Sequence, residues 1–310
     1  MTKYVSQIRL TLVALLVLGL LAVALKMRAV LPSLLPLGQS AAMTFAAECF
    51  LLLTTILLFA LPLMLAEQMM PSIQLPKFRF RALIFWAAYV PFSILATKLV
   101  ILIVDQFKIT PLFNLNLNSW HLQGTSYFFA HLGLLFLALI FLDFCYYWLH
   151  RMQHQIPFLW RFHRAHHANA NINALSCYHH PFEDLLRIPF FTIPMILLLK
   201  VDAPQMLIFS AITMGWAYFC HADSKLNVGA LRCVITDNQY HRIHHSTNPD
   251  HFDRNFAFYF SIMDRLFGTQ KMPSAQEINC EVGLSDVPNP KNLRELFAMP
   301  FIKQRAHLAE

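Results

Sequence analysis

Charge is what this chain lacks most. Asp, Glu, Lys and Arg make up 13% of its 310 residues, about half the ~25% of an ordinary soluble domain. Hydrophobic residues reach 57% and the mean hydropathy is +0.48. That balance argues against a water-soluble globule and for a bilayer as solvent. There is no long basic run either. The excess of 24 Lys+Arg over 17 Asp+Glu is therefore read as membrane topology, and nucleic acid is not an expected partner. The six cysteines (Cys49, Cys145, Cys177, Cys220, Cys233 and Cys280) include no CxxC pair, which removes a disulfide framework and a CxxC-type iron–sulfur motif. No GxGxxG is present to bind a flavin or nicotinamide, and no HExxH is present to hold a protease zinc. ExxH pairs, the mark of soluble dimetal bundles, are also missing beside the histidines.

What is there begins with apolar segments at about 8–25, 41–65, 82–104 and 128–149. Each is long enough to cross ~30 Å of hydrocarbon at ~1.5 Å per residue. Ala22-Val23-Ala24 after the first run resembles a cleavage site, but the run is long for a signal peptide and more spans follow it, so it is read as a span. A further apolar region at 185–219 is interrupted by Lys200-Val-Asp-Ala-Pro204. It predicts a helical hairpin, either crossing fully or dipping in and returning.

Lys3 and Arg9 precede the first span, Lys77, Arg79 and Arg81 fill the second loop, and Arg151, Arg161 and Arg164 follow the fourth span. The positive-inside rule puts these segments in the cytoplasm, and every His-rich segment falls on that side. The expectation is an all-α, multi-pass helical membrane protein with a cytoplasmic His-rich helical cap. Residues 1–124 would form N-terminal membrane helices, 125–270 a catalytic domain including the hairpin, and 271–310 a polar C-terminal tail. A short amphipathic helix near 292–304 is expected at the membrane surface.

Histidine, at 15 copies, is the residue in excess. It forms three clusters: His150-Arg-Met-Gln-His154, His163-Arg-Ala-His166-His167 and His241-Arg-Ile-His244-His245. Residues three and four apart share a helix face, so each cluster lines up imidazoles on one stripe. A solvated helix face or a backbone-satisfied core histidine explains one such residue. It does not explain eight, because buried imidazole nitrogens without partners are costly. Neutral imidazole is the commonest metal ligand and suits Zn, Cu, Fe and Ni. Eight or nine are too many for one ion and about right for two.

His221, emerging from the hairpin, is a further candidate ligand. His180 stands between two roles, ligand or hydrogen-bond partner of a ligand. Asp143, two helical turns before His150, could accept an imidazole N–H or pair with Arg151 or Arg164. Asn255, Asp264 and Arg265 read first as loop and cap structure.

These segments resemble the fatty acid hydroxylase / sterol desaturase superfamily of membrane non-haem di-iron enzymes. The resemblance is carried by Asp143-Phe-Cys-Tyr-Tyr-Trp-Leu-His150 through His154, by Leu159-Trp160 through His167, by His180-Pro181-Phe-Glu183 and by Phe219-Cys-His221. It continues through Val234-Ile-Thr to His245, then Asn255-Phe and Asp264-Arg-Leu-Phe-Gly268. It covers roughly residues 125–270. It implies iron ligation by His150, His154, His163, His166, His167, His221, His241, His244 and His245, supported by Asp143, Asp223 and Asn255. The chain departs from the family at Asp223, where Asn is frequent, and at Thr236-Asp237-Asn238, where Thr-Pro often stands.

The resemblance further implies two Fe ions, with Zn able to substitute in vitro, and O₂ as co-substrate. It implies a membrane lipid substrate and an external electron donor of cytochrome b5, ferredoxin or reductase type. The expected reaction is hydroxylation of an aliphatic C–H, with desaturation as the alternative on the same site. The expected location is the bacterial inner membrane, with the N-terminus, His clusters and C-terminus cytoplasmic. A metal transporter is the competing class. Its ligands would sit within spans near the midplane, whereas these follow the spans.

Overall fold

The computed structural model describes residues 40–73, 80–108, 110–114, 123–200, 203–287 and 289–302, with scattered helical positions between residues 11 and 22. More than half of the expected span at 8–25 lies outside the described residues, as do its flanking charges Lys3 and Arg9 and, further on, Lys77 and Arg79.

Three described helices are long and apolar enough to cross a bilayer. They are α1 (Ala41–Met69), α2 (Phe80–Gln106) and α3 (Gly124–Gln155); the first two are a few residues longer than their apolar runs predict, and α3 extends past its run at both ends. Ser40 starts α1 by accepting the Met43 N–H on its hydroxyl, a standard N-cap. Pro62 and Pro91 sit inside α1 and α2, as proline can where the bilayer and neighbouring helices support the strand of backbone it interrupts. The buried faces of the two helices, Ile56, Phe59, Ala60 and Leu63 on α1 with Phe85, Trp86 and Val90 on α2, belong to one core.

The third span changes character along its length. Its N-terminal half turns Phe128, Phe129, Phe136 and Leu137 outward, the pattern of a lipid-facing helix. Its last turns bury Asp143, Tyr147, Leu149, His150 and Gln153. The same helix thus crosses the membrane and carries the first histidine cluster. It stops at Ile156, and Pro157 opens α4 (Pro157–His167) at the position where a missing N–H costs nothing.

The 185–219 region is a broken helical hairpin. Its first arm runs through α5 (Glu183–Arg187), a π-helical turn at Ile188–Thr192 and α6 (Ile193–Leu198). Pro189 and Pro194 lie there, and loss of their N–H groups accounts for the widened turn. The sole strand pairing among the described residues is two residues long, β1 (Phe113–Asn114) parallel to β2 (Leu199–Lys200). The second arm is α7 (Ala203–His221), packed against α1. Residues 201 and 202, inside the expected break, lie outside the described residues.

Glu67, buried near the end of α1, ties the spans to the cap. Its Oε1 accepts the N–H groups of Ala174 (2.7 Å) and Asp223 (2.9 Å). The rest of the cap is α8 (Asn238–His244), α9 (Ile262–Leu266), α10 (Leu293–Ala298) and connecting loops. The C-terminal helix is shorter than expected and docks on protein. Leu296, Met299 and Pro300 are buried, and the buried Arg164 guanidinium donates to the carbonyls of Met299 and Ile302. Residues after Met272 also return to the site, where the Gly283 N–H donates to the His245 carbonyl.

Candidate metal centre

The nine clustered histidines converge from α3, α4, α7 and α8 into two adjacent groups. His150, His154, His163, His167 and His244 offer ligand atoms all within 4.8 Å of one another, and so do His166, His221, His241 and His245. All nine are largely or fully buried. The two HxxHH motifs explain the division. The i, i+4 pair His163 and His167 faces the first group while His166 faces the second. On α8 the roles reverse: His241 and His245 face the second group and His244 the first. Each helix therefore feeds both groups, and the repeated spacing is the condition for that exchange.

Asp237 fixes the start of α8 by accepting the Tyr240 N–H and pairing with Arg232 at 2.7 Å. The run Thr236-Asp237-Asn238 is thus an N-cap, and Asn238 extends it by donating to the carbonyls of Ala222 and Ser224 beside His221.

The outer nitrogens of five imidazoles are committed. His150 Nδ1 bonds to the Phe256 carbonyl (2.8 Å), His166 Nδ1 to Tyr178 (3.0 Å), His221 Nδ1 to Ala217 (2.7 Å) and His244 Nδ1 to Arg254 (2.8 Å). His163 Nδ1 faces the Glu183 carboxylate at 3.2 Å. These partners only accept, so each Nδ1 carries the proton and each Nε2 presents a lone pair inward. Nε2 atoms crowd together within each group: His150–His163 3.1 Å and His163–His167 3.2 Å in the first, His166–His221 3.1 Å, His221–His241 3.1 Å and His241–His245 3.1 Å in the second. In the His150–His163 and His166–His221 pairs both protons sit on Nδ1, so two lone pairs meet face to face in a dry interior and repel unless a cation lies among them. The donor set fits two metal ions with imidazole ligation.

Burial, reinforced by neighbouring imidazoles, holds His166, His167, His241 and His245 well below the usual histidine range, and burial brings His244 to about 3. The rings are neutral and ready to ligate at pH 7. The unfolded chain, with histidines near ~6.5, takes up protons first as the pH falls, so this contribution to stability is intact above ~6.5 and is lost on descent toward the folded values. The melting temperature of metal-stripped protein should therefore fall steadily from about pH 7.5 to about pH 5. A melting temperature that held or rose over that window would contradict the burial of neutral rings.

Sequence reasoning left Glu183 out of the site, although it closes the His180-Pro181-Phe-Glu183 segment. It is fully buried and accepts from Gln153 Nε2 (2.8 Å) and Arg187 (2.9 Å), with His163 at 3.2 Å and His179 at 3.1 Å. Burial pushes its carboxyl up, but His179, Arg187 and His163 outweigh that and hold it well below the usual carboxylate range. His179, not His180, stands beside the centre: it forms a third cluster with His163 and Glu183 and stacks on His166 at 4.0 Å. His180 lies in neither group. Its Nδ1 accepts the Phe182 N–H, and its ring rests among Phe162, Phe182 and Phe297.

Asp143 takes neither of the roles read from sequence. Its carboxylate accepts three consecutive backbone N–H groups, from Phe258 (2.7 Å), Tyr259 (3.1 Å) and Phe260 (2.6 Å). Arg151 turns instead to the Tyr147 hydroxyl, and Arg164 to the C-terminal carbonyls. The Asp223 carboxylate lies 3.7 Å from Arg242. Asn255 adopts φ +60°, a left-handed conformation Asn tolerates better than most residues. Its side chain is tied to Tyr240 and Lys271. The turn aims the carbonyls on either side of it, Arg254 and Phe256, at His244 and His150.

The fatty acid hydroxylase family matches this chain over residues 135–269. Alkylglycerol monooxygenase of Xenopus tropicalis is 29% identical over 133 residues, 43% of this chain and 29% of that protein. A cholesterol 25-hydroxylase-like protein of Danio rerio is 27% identical over 227 residues, covering 70% of this chain and 87% of the relative. Ornithine lipid hydroxylase OlsE of Rhizobium tropici is 28% identical over 169 residues, 54% of this chain and 50% of the relative. The match spans less than a third of the alkylglycerol monooxygenases. No solved structure matches the chain.

Proposed function

Since the chain belongs to the fatty acid hydroxylase / sterol desaturase superfamily, we propose that it is a membrane-bound di-iron oxygenase that hydroxylates an aliphatic C–H of a lipid. The observation that carries this reading is the division of nine buried imidazoles into groups of five and four with their Nε2 atoms turned inward. Iron, when bound, would supply the activation of O₂ that a strong aliphatic C–H bond demands. His150, His154, His163, His167 and His244 would hold one ion and His166, His221, His241 and His245 the other. Imidazole nitrogen also suits zinc, and the choice of iron rests on the family.

The chain's own contribution is placement. Glu183, Tyr178, Ala217, Phe256 and Arg254 fix the tautomer and tilt of five rings. Burial excludes water from the centre. His150 sits on the same helix that crosses the bilayer, so an apolar chain entering from the membrane meets the site at the end of α3. The substrate is a lipid with an unactivated methylene or methyl group. Reducing equivalents come from an external cytochrome b5, ferredoxin or reductase partner. The orientation is cytoplasmic for the cap, following the positive loops, in a bacterial inner membrane.

The test is direct. Purified protein should carry about two metal ions per chain by elemental analysis. Lipid extracts from cells expressing it should contain an O₂-dependent product heavier by one oxygen, and a loss of two hydrogens would mark desaturation instead. His166→Ala or His244→Ala should abolish that product and lower the metal content. Wild-type product in both variants would sink the proposal.

A further inference from the structure

The two imidazole groups are backed differently, and one buried acid outside both accounts for part of the difference. Asp264, on α9, accepts four hydrogen bonds. The Phe256 N–H (2.7 Å) and the Thr269 hydroxyl (2.8 Å) reach Oδ1, and the Ala257 N–H (3.0 Å) and the Tyr240 hydroxyl (3.0 Å) reach Oδ2. Burial raises its carboxyl, and those donors oppose the rise. With each lone pair facing a donor, the side chain is built as an acceptor-only anion. The Tyr147 hydroxyl bonds to Thr269 Oγ1, and Arg151 donates to Tyr147, so the chain of donors runs out to a cation at the edge of the cap.

The Ala257 N–H and the Phe256 carbonyl belong to the same peptide group. Its N–H points to the Asp264 carboxylate and its oxygen accepts from His150 Nδ1. A carboxylate pulling on an amide N–H shifts electron density to the carbonyl oxygen and makes it a better acceptor, because linked hydrogen bonds polarise one another. A better acceptor on Nδ1–H makes the opposite Nε2 more basic.

We infer that Asp264 is a positioning residue for His150, acting on it through one peptide group, and that with Glu183 on His163 it sets the five-imidazole group electronically apart from the four-imidazole group. Among the described residues, the four-imidazole group has no such backing. His166 and His221 bond to the Tyr178 and Ala217 carbonyls, and no carboxylate lies within ion-pair distance of His166, His221, His241 or His245. The five-imidazole group therefore donates more electron density to its ion and favours the ion's more highly charged state. This inference rests on the dimetal reading and deepens it.

The experiment is Mössbauer spectroscopy on full-length protein loaded with ⁵⁷Fe(II), together with chelator competition for Fe(II). Wild type should show two distinct ferrous doublets of equal area. Asp264→Asn places an amide N–H₂ against two of the four donors, whichever oxygen it replaces, and removes the charge. It should shift one doublet, leave the other in place, and weaken one of the two Fe(II) sites by about 10–100-fold. Thr269→Val keeps the shape but takes one donor from the carboxylate, so the same doublet should move by less. It serves if Asp264→Asn does not fold. A purely structural role would lower thermal stability without moving one doublet alone. Equal shifts in both doublets, or none in either variant, overturn the inference while the dimetal reading stands. Wild type binding fewer than two ions overturns both.

Discussion

Glu183→Ala is expected to destabilise the protein by about 3–5 kcal/mol, the usual result of removing one partner from a buried charge pair, and to empty the five-imidazole group of metal. Four donors converge on this carboxylate, and two of them matter differently. Arg187 is left with Asp184 at 3.7 Å as its remaining carboxylate contact, so a guanidinium in a mostly buried position loses its main counter-charge. His163 loses the acceptor that keeps its proton on Nδ1. Nothing then prevents the ring from turning or taking the other tautomer, which would put N–H where a lone pair is needed. Because His163 Nε2 lies 3.1 Å from His150 and 3.2 Å from His167, one misdirected ring disturbs the whole group. Glu183→Gln keeps an oxygen and the shape but loses the charge, and should weaken metal binding by about 10–100-fold with a smaller loss of stability. Thermal unfolding in detergent and elemental analysis separate the two effects. Wild-type metal content in Glu183→Ala would show that the carboxylate is not what orients His163 for the metal.

The parts legible in the sequence are those with a period or a composition. Spans are long apolar runs, and α1, α2 and α3 appear where those runs are. HxxHH is a helical spacing, and α4 and α8 are helices that turn its histidines inward. What the sequence hides is the assignment of each ring. Nothing in His163-Arg-Ala-His166-His167 says that its middle histidine serves the other group. That follows from how α4 packs against α3 and α8, a tertiary fact. Glu183 and His179 escape for the same reason: they lie twelve or more residues beyond His167, and only the loop through Ala174–Ser176 brings them back beneath His163 and His166. His180 shows the limit of reading pairs. His179 stacks on His166 while the adjacent His180 rests among Phe162, Phe182 and Phe297, and the sequence does not reveal which of the two faces the centre. Asp143 and Asp264 are harder still, because their partners are backbone N–H groups, which carry no residue-type signal.

Asp143→Ala should unlatch the 254–260 segment, and the reason lies in where that segment runs. Phe260 packs on Phe136 of α3, with ring centroids 5.8 Å apart. Phe136 is seven residues before Asp143, about 10 Å further along the helix toward the middle of the span. A non-helical stretch at that depth has no water to satisfy its amides, so it persists only where protein supplies the acceptors. Asp143 supplies three of them and Asp264 two more, covering every N–H from Phe256 to Phe260. Removing Asp143 orphans three donors at about 1–3 kcal/mol each. Asn is no remedy: its amide N–H₂ would face at least one backbone N–H, donor against donor. The Arg254 and Phe256 carbonyls at the near end of the segment then lose their aim on His244 and His150. Hydrogen exchange should accelerate at residues 258–260 in Asp143→Ala, with metal affinity at the five-imidazole group falling about 10–100-fold. Unchanged exchange at those amides would mean that the segment is held by its aromatic contacts instead, and that the carboxylate on α3 is not what latches it.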